Sequence, residues 1–162
     1  MEIRKAVWED LDEILHIYES ARAFMVQTGN PRQWAARNWP PRHLVEQDIA
    51  RGKSYVCVDD DTILAVFFYH YGENIEATYG KIDGHWIGES TYGVVHRIAA
   101  RPGKGAGRVC IDWAYRQCGH LRIDTHEDNR VMQRVLQQLG FTYCGVIRIQ
   151  EDNDPRLAYE KN

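Results

Sequence analysis

No apolar run in the sequence approaches the ~20 residues that span a bilayer. The opening stretch MEIRKAVWEDLDEI holds no apolar signal region. Cysteine is scarce: Cys57, Cys110, Cys118 and Cys144 form no CxxC pair and no metal-finger spacing. Free thiols in a reducing, cytoplasmic setting are the expectation. Basic excess is also missing, since the formal net charge is −3, which argues against non-specific nucleic-acid binding. Internal repeats, linkers and low-complexity segments are absent. The 162 residues therefore predict a single domain over 1–162, long enough to bury roughly two-thirds of the unfolded surface. Asp59, Asp60 and Asp61 are the one acidic run, but nothing nearby completes a metal site, so a solvated turn is expected and no metal.

The most informative stretch is 92–107, YGVVHRIAARPGKGAG. Residues 94–99 are apolar and β-branched enough for a strand, and 101–107 form a turn with three glycines. From Ala106 onward, Ala106, Val109, Cys110, Trp113 and Ala114 fall at helical spacing. A strand entering a glycine turn and then a helix N-terminus presents unpaired N–H groups and the positive end of the helix dipole. That combination suits an anion, above all phosphate. Lys104 and Arg108 would add full charges. A Walker loop is excluded because no Ser or Thr follows Lys104. The dinucleotide fingerprint fails at Arg108, where its third glycine would stand.

Along the rest of the chain, 2–6 reads as a strand. A helix begins at Asp10 with Leu11, Ile14, Leu15, Tyr18, Ala21 and Met25 on one face, and Thr28-Gly29-Asn30-Pro31 stops it. Residues 33–41 form an aromatic connector, and 42–51 a second helix ended by Gly52. Residues 55–58 and 63–69 are a hairpin. The stretch 72–91 is glycine-punctuated and irregular, and in a compact domain such stretches are often functional. After the third helix, 121–124 is a strand parallel to the central one. A fourth helix carries Val131, Met132, Val135, Leu136 and Leu139. Residues 142–149 and 156–159 form an antiparallel pair across the turn Asp152-Asn153-Asp154-Pro155.

Pro102-Gly103-Lys104-Gly105-Ala106-Gly107 resembles motif A of the GNAT acetyltransferases, (Arg/Gln)-x-x-Gly-x-(Gly/Ala) after a strand. Pro102 replaces the Arg or Gln, and Arg101 is read as a stand-in. The family pattern continues with a strand (121–124), an Asn opening a helix (Asn129) and the pair Gly140-Phe141, so the resemblance covers essentially the whole chain. It implies an α/β (α+β) fold: a mixed, mostly antiparallel central sheet with a splayed parallel pair and helices on both faces. It also implies an N-acetyltransferase using acetyl-CoA as co-substrate and a small-molecule or peptide amine as acceptor. Neither nucleic acid nor membrane is implied as a partner, and a homodimer stays open. A non-catalytic acyl-CoA binder of the same fold is the alternative.

Carried over by position, the resemblance places pantetheine along Ile98, Ala99 and Ala100. Pyrophosphate falls at Gly103, Lys104, Gly105, Ala106, Gly107 and Arg108, and Asn129 flanks the arm. The family's glutamate base and tyrosine acid fall at Val94 and Leu136, which cannot serve. By alternation His96 shares a face with Val94 and Arg97 lies opposite. An unperturbed imidazole titrates near ~6.5, which suits a base. His96 is then either that base or a histidine bonded within the sheet, and Glu89, Glu73 or a water chain could serve instead. Asp124 reads as orienting His126 or capping the fourth helix. Trp34, Trp39 and Trp86, with carboxylates such as Glu76 nearby, are candidate acceptor walls.

Overall fold

The computed structural model describes residues 1–150 and 153–162; Asp152 of the expected turn lies outside the described residues. Among the described residues eight strands form one sheet in the order β1-β2-β3-β5-β6-β8-β7-β4. They are β1 Glu2–Lys5, β2 Ser54–Asp59, β3 Thr62–Gly72, β4 Asp83–Gly84, β5 Tyr92–Ala100, β6 Leu121–Thr125, β7 Thr142–Arg148 and β8 Pro155–Lys161. Four helices accompany it: α1 Leu11–Gln27, α2 Arg42–Ala50, α3 Ala106–Cys118 and α4 Arg130–Gln138. None of the helices among the described residues is long and apolar enough to cross a membrane.

Each face of the sheet is covered because each helix carries one apolar stripe. Ile14, Ile17, Tyr18 and Ala21 of α1, with Val45 and Ile49 of α2, pack on Val56, Val66 and Ala99. On the other face Cys110, Ile111 and Ala114 of α3 and Leu136 of α4 pack on Phe67, Val95, Leu121 and Ile123. Leu136 is fully buried, which explains an apolar residue at that position.

β8 lies between β6 and β7, with Asp124 opposite Ala158 and Ile147 opposite Arg156. The last two strands therefore pair as expected, but the later one is interior and the earlier one is near the edge. A hairpin pattern fixes partners and not which arm turns inward. The segment 72–91 is less irregular than its sequence. Residues 77–81 form a 3-10 turn, and Asp83 and Gly84 pair with Val146 and Gly145.

Among the described residues only β5 and β6 run parallel, and their ladder covers just Gly93↔Leu121 and Val94↔Arg122. Beyond that point the strands part. β5 also carries a bulge where the register against β3 slips between Val66 and Phe68. Its centre is Arg97, a non-glycine residue at φ 48°, a conformation that costs about 1–2 kcal/mol. Compensating contacts surround it. Tyr18 donates to the Arg97 carbonyl at 2.7 Å, Arg97 holds Asp48 bidentately at 2.8 and 2.9 Å, and its guanidinium lies 4.6 Å from the Phe68 ring centre. The extra residue reverses the alternation expected for the strand. His96 and Arg97 both face the α1–α2 side, and Arg97 is not opposite His96.

The other end of β6 is fastened by a buried carboxylate. Glu160, fully buried, accepts from the Ile87 N–H and His120 Nε2, and from Arg122 Nε at 3.1 Å. Burial alone would raise its pKa, but these donors hold it below the ordinary glutamate value. Arg122 also lies between the rings of Trp86 and Tyr92, at 4.2 and 4.1 Å. The far half of segment 72–91 is thereby tied to the sheet.

Candidate active site

Where β5 and β6 separate, a cavity of about 240 Å³ opens. Val95, His96, Arg97 and Ile98 line it from β5, and Ile123, Asp124 and Thr125 from β6. Trp34 and Trp39 close the α1–α2 side, Met132 and Asn129 the α4 side, and Glu76 and Thr78 reach in from the segment before β5.

His96 sits between two carboxylates. Its Nε2 is 3.2 Å from Glu76 Oε2 and its Nδ1 is 3.8 Å from Asp124 Oδ2. Nε2 is buried without an aligned hydrogen-bond partner, so the Glu76 approach is not a formed hydrogen bond. The ring lies 5.7 Å from Phe68 and 6.1 Å from Tyr79. Each carboxylate is fixed from behind. Thr78 donates to Glu76 Oε1 through its hydroxyl at 2.8 Å and its N–H at 3.3 Å, and Tyr79 donates to Asp124 Oδ2 at 2.7 Å. The adjacent His96 ring, helped by Thr78, pulls the Glu76 pKa down to about 2. Tyr79 moves the opposite way, well above the ordinary tyrosine value, through burial and the neighbouring Asp124 charge.

This corrects the reading of Asp124, which neither caps α4 nor orients His126. Asn129 takes the cap, its Oδ1 accepting from Met132 N at 3.1 Å while its Nδ2 donates to Gln33 at 3.0 Å. His126 Nδ1 accepts from the Asp128 N–H at 2.9 Å, and burial lowers its pKa. Glu76 is the residue that sequence reasoning placed only loosely, as one of several acids near the tryptophans. Its distinguishing signal was faint: a carboxylate two residues before a threonine in an irregular stretch, the pattern of a capped turn.

The glycine turn stands as a separate surface. Gly103 and Gly105 have φ of 80° and 69°, and a side chain at either would meet nothing within 4 Å. The left-handed backbone is what calls for glycine there, and the space above it is open. α3 begins at Ala106, so its first N–H groups have no intrahelical partners, and Lys104 and Arg108 beside them are exposed. Arg101 does not stand in for the motif's first position. Its guanidinium bonds the Ile63 carbonyl and Glu13 on the α1 face. Ile98, Ala99 and Ala100 lie beyond the β5–β6 ladder, with Ala99 and Ala100 opposite Val66 and Ala65 on the β3 side.

The three tryptophans separate into two groups. Trp34 is buried against Tyr18, and Trp39 is half-buried in the cavity wall. Trp86 is not among the lining residues; its indole N–H donates to the Tyr79 carbonyl at 2.8 Å and its ring stacks on Arg122.

Among solved structures, an acetyltransferase of the GNAT family from Streptococcus agalactiae is 31% identical, with 99% of this chain and 94% of that one covered and a TM-score of 0.88. The chain belongs to the GNAT family of acetyltransferases. A GNAT acetyltransferase from Listeria monocytogenes shares the fold at 16% identity, with 99% and 93% of the two chains covered and a TM-score of 0.71. A ribosomal-protein-alanine N-acetyltransferase from Brucella melitensis does so at 15% identity, with 99% of each chain covered and a TM-score of 0.67. No protein-family model and no curated protein sequence matches the chain. Val94 and Leu136 stand where the resemblance placed the family's proton-transferring side chains. Both side chains are aliphatic and fully buried, and neither carries a proton to exchange.

Proposed function

We propose that the protein transfers an acetyl group from acetyl-CoA to a primary amine of a small molecule or peptide, by direct attack in a ternary complex. The observation that carries this reading is the gap between β5 and β6, which brings a free strand edge and the His96–Glu76–Asp124 group into one cavity. The residues fit the co-substrate: open space above Gly103 and Gly105, the first-turn N–H groups of α3, and two cationic side chains beside them. Gly103 to Arg108 would hold the pyrophosphate, Ile98 to Ala100 would pair with the pantetheine arm, and Asn129 would flank it. Acetyl-CoA, when bound, supplies an activated acyl carbon and a thiolate leaving group.

The remaining chemistry belongs to the chain. Glu76 and Asp124 place negative charge where an ammonium arrives, and the amine must lose a proton before its nitrogen can attack. His96 lines the cavity beside both carboxylates and takes that proton; the two carboxylates then stabilise the imidazolium. Glu76, held near pKa 2, is too weak a base for the task and acts through charge. Free thiols at all four cysteines accord with a reducing, cytoplasmic setting.

Calorimetry with acetyl-CoA, NAD and ATP tests the co-substrate. Acetyl-CoA should bind with clear preference; equal binding of all three would leave a general nucleotide site.

Trp39 is expected to wall the acceptor. Trp39→Ala should raise the acceptor KM about 5- to 10-fold while the acetyl-CoA KM changes less than about 2-fold, corresponding to a contact of about 1 kcal/mol. Equal shifts in both constants would return Trp39 to a packing role.

Glu76 gives a pH dependence. Its folded pKa of about 2 lies below the ordinary value of 4.5, so its contacts contribute stability that is complete above pH ~4.5 and lost as pH falls toward ~2. The stability difference between wild type and Glu76→Gln, measured by urea unfolding, should be largest at neutral pH and shrink toward zero near pH 2. A difference that stays constant across that range would show that the carboxylate charge is not what holds this segment.

A further inference from the structure

Acyl transfer releases sulfur with a developing negative charge, and the residue at the family's tyrosine position here is Leu136, fully buried in the core. Two cavity-lining residues among those described carry a hydroxyl, Thr78 and Thr125. Thr78 already donates to Glu76 Oε1 at 2.8 Å. Thr125 is different: it is 1% exposed, and its Oγ1 is buried with no hydrogen-bond partner. Leaving a hydroxyl unsatisfied in the interior is unfavourable, and such groups in a native structure call for an explanation.

Thr125 is the last residue of β6, beyond the point where β5 and β6 separate. Its neighbour Asp124 points toward His96 and Tyr79; successive strand side chains alternate, so Thr125 faces the α3–α4 side. The proton-accepting group and this hydroxyl thus stand on opposite faces of one short strand end. The hydroxyl and methyl of threonine are similar in size, so a change of χ1 can exchange them within the same space.

We propose that Thr125 is a catalytic residue whose hydroxyl donates a hydrogen bond to the coenzyme sulfur as the thiolate departs. The inference rests on the acetyl-CoA reading above. In the step, the amine nitrogen forms the C–N bond and the C–S bond breaks. The electron pair of that bond stays on sulfur, and the amine proton goes to His96. Thr125 keeps its own proton and only shares it, since an aliphatic alcohol is a weaker acid than a thiol.

The test uses Thr125→Val, which keeps the shape and removes the hydroxyl, and Thr125→Ser, which restores it. Three measurements are combined. Free coenzyme A is bound to each protein, and the thiol is titrated through thiolate ultraviolet absorbance. The thiol should ionise at lower pH on wild type and Thr125→Ser than on Thr125→Val. kcat for amine acetylation should fall about 10-fold in Thr125→Val and largely return in Thr125→Ser. Thermal stability of ligand-free Thr125→Val should equal or exceed that of wild type, because an unsatisfied hydroxyl has been removed. Identical thiol titration on wild type and Thr125→Val would overturn the proposal, as would a clear loss of stability in ligand-free Thr125→Val, the mark of a structural hydroxyl. If wild type bound no coenzyme A at all, the co-substrate reading itself would fail, an outcome distinct from failure of Thr125.

Discussion

His96→Ala should lower kcat by about 10²- to 10³-fold, the range expected for loss of a positioned general base, with acetyl-CoA affinity nearly unchanged. The imidazole stands 3.2 and 3.8 Å from two carboxylates, and Glu76, held down to about 2, lacks the basicity to replace it. Wild-type kcat/KM should rise with pH through a limb that belongs to the base. That limb should vanish in the variant, leaving only the rise from the amine's own ionisation near ~10 for an alkyl ammonium. Glu introduced at Val94 should restore little activity by itself. Val94 is fully buried beside Tyr79, Tyr92 and Ile147, so a carboxylate there would be desolvated and crowded. The same pH limb in wild type and His96→Ala would assign the titration elsewhere and leave His96 a structural neighbour of Glu76.

Gly105→Asp is expected to weaken binding of acetyl-CoA and of coenzyme A by more than about 10-fold, or about 1.4 kcal/mol. The new carboxylate would stand at the positive end of α3, where an incoming phosphate needs positive potential. The substitution leaves room for folding: nothing lies within 4 Å of a Cβ at this position. The φ of 69° is strained for most residues but least so for Asn and Asp. Gly105→Asn is the matched control, with the same strain and no charge, and it should bind appreciably better than Gly105→Asp. Calorimetry on folded variants gives the comparison. Equal affinities for wild type and Gly105→Asp would remove the glycine turn from the binding site.

The legible parts of this chain were those determined by local pattern. The turn from Arg101 to Gly107 announces itself because glycine at φ 80° and 69° has a backbone reason to be there. α3 and α4 show in the spacing of Cys110 with Ala114 and of Val135 with Leu139. The parallel relation of β5 and β6 follows from the helix that crosses between them. What escaped depends on contacts distant in sequence. Glu76 reaches His96 across 20 residues, and no local motif marks that approach. Asp124 looked like a helix cap because caps follow strands in just this way, but Tyr79, 45 residues earlier, claims its carboxylate. Arg97 was expected opposite His96 because two-residue alternation is the rule; the bulge that breaks it is sustained by Tyr18 and Asp48, both in the first 48 residues. Arg101 sits next to the phosphate motif in sequence and turns instead to Glu13. Tertiary partners decided each of these cases.

Acetyl transfer to an amine within this cavity is the claim on which the rest depends. The most direct measurement mixes the purified protein with acetyl-CoA and a panel of primary amines, small molecules and peptides, and follows release of coenzyme A thiol together with the mass of the amine product. Thiol release should depend on a particular amine, be matched one for one by an acetylated product, and fall in His96→Ala. Tight acetyl-CoA binding with no amine-dependent thiol release across the panel would contradict it and would favour a non-catalytic acyl-CoA binder built on the same fold.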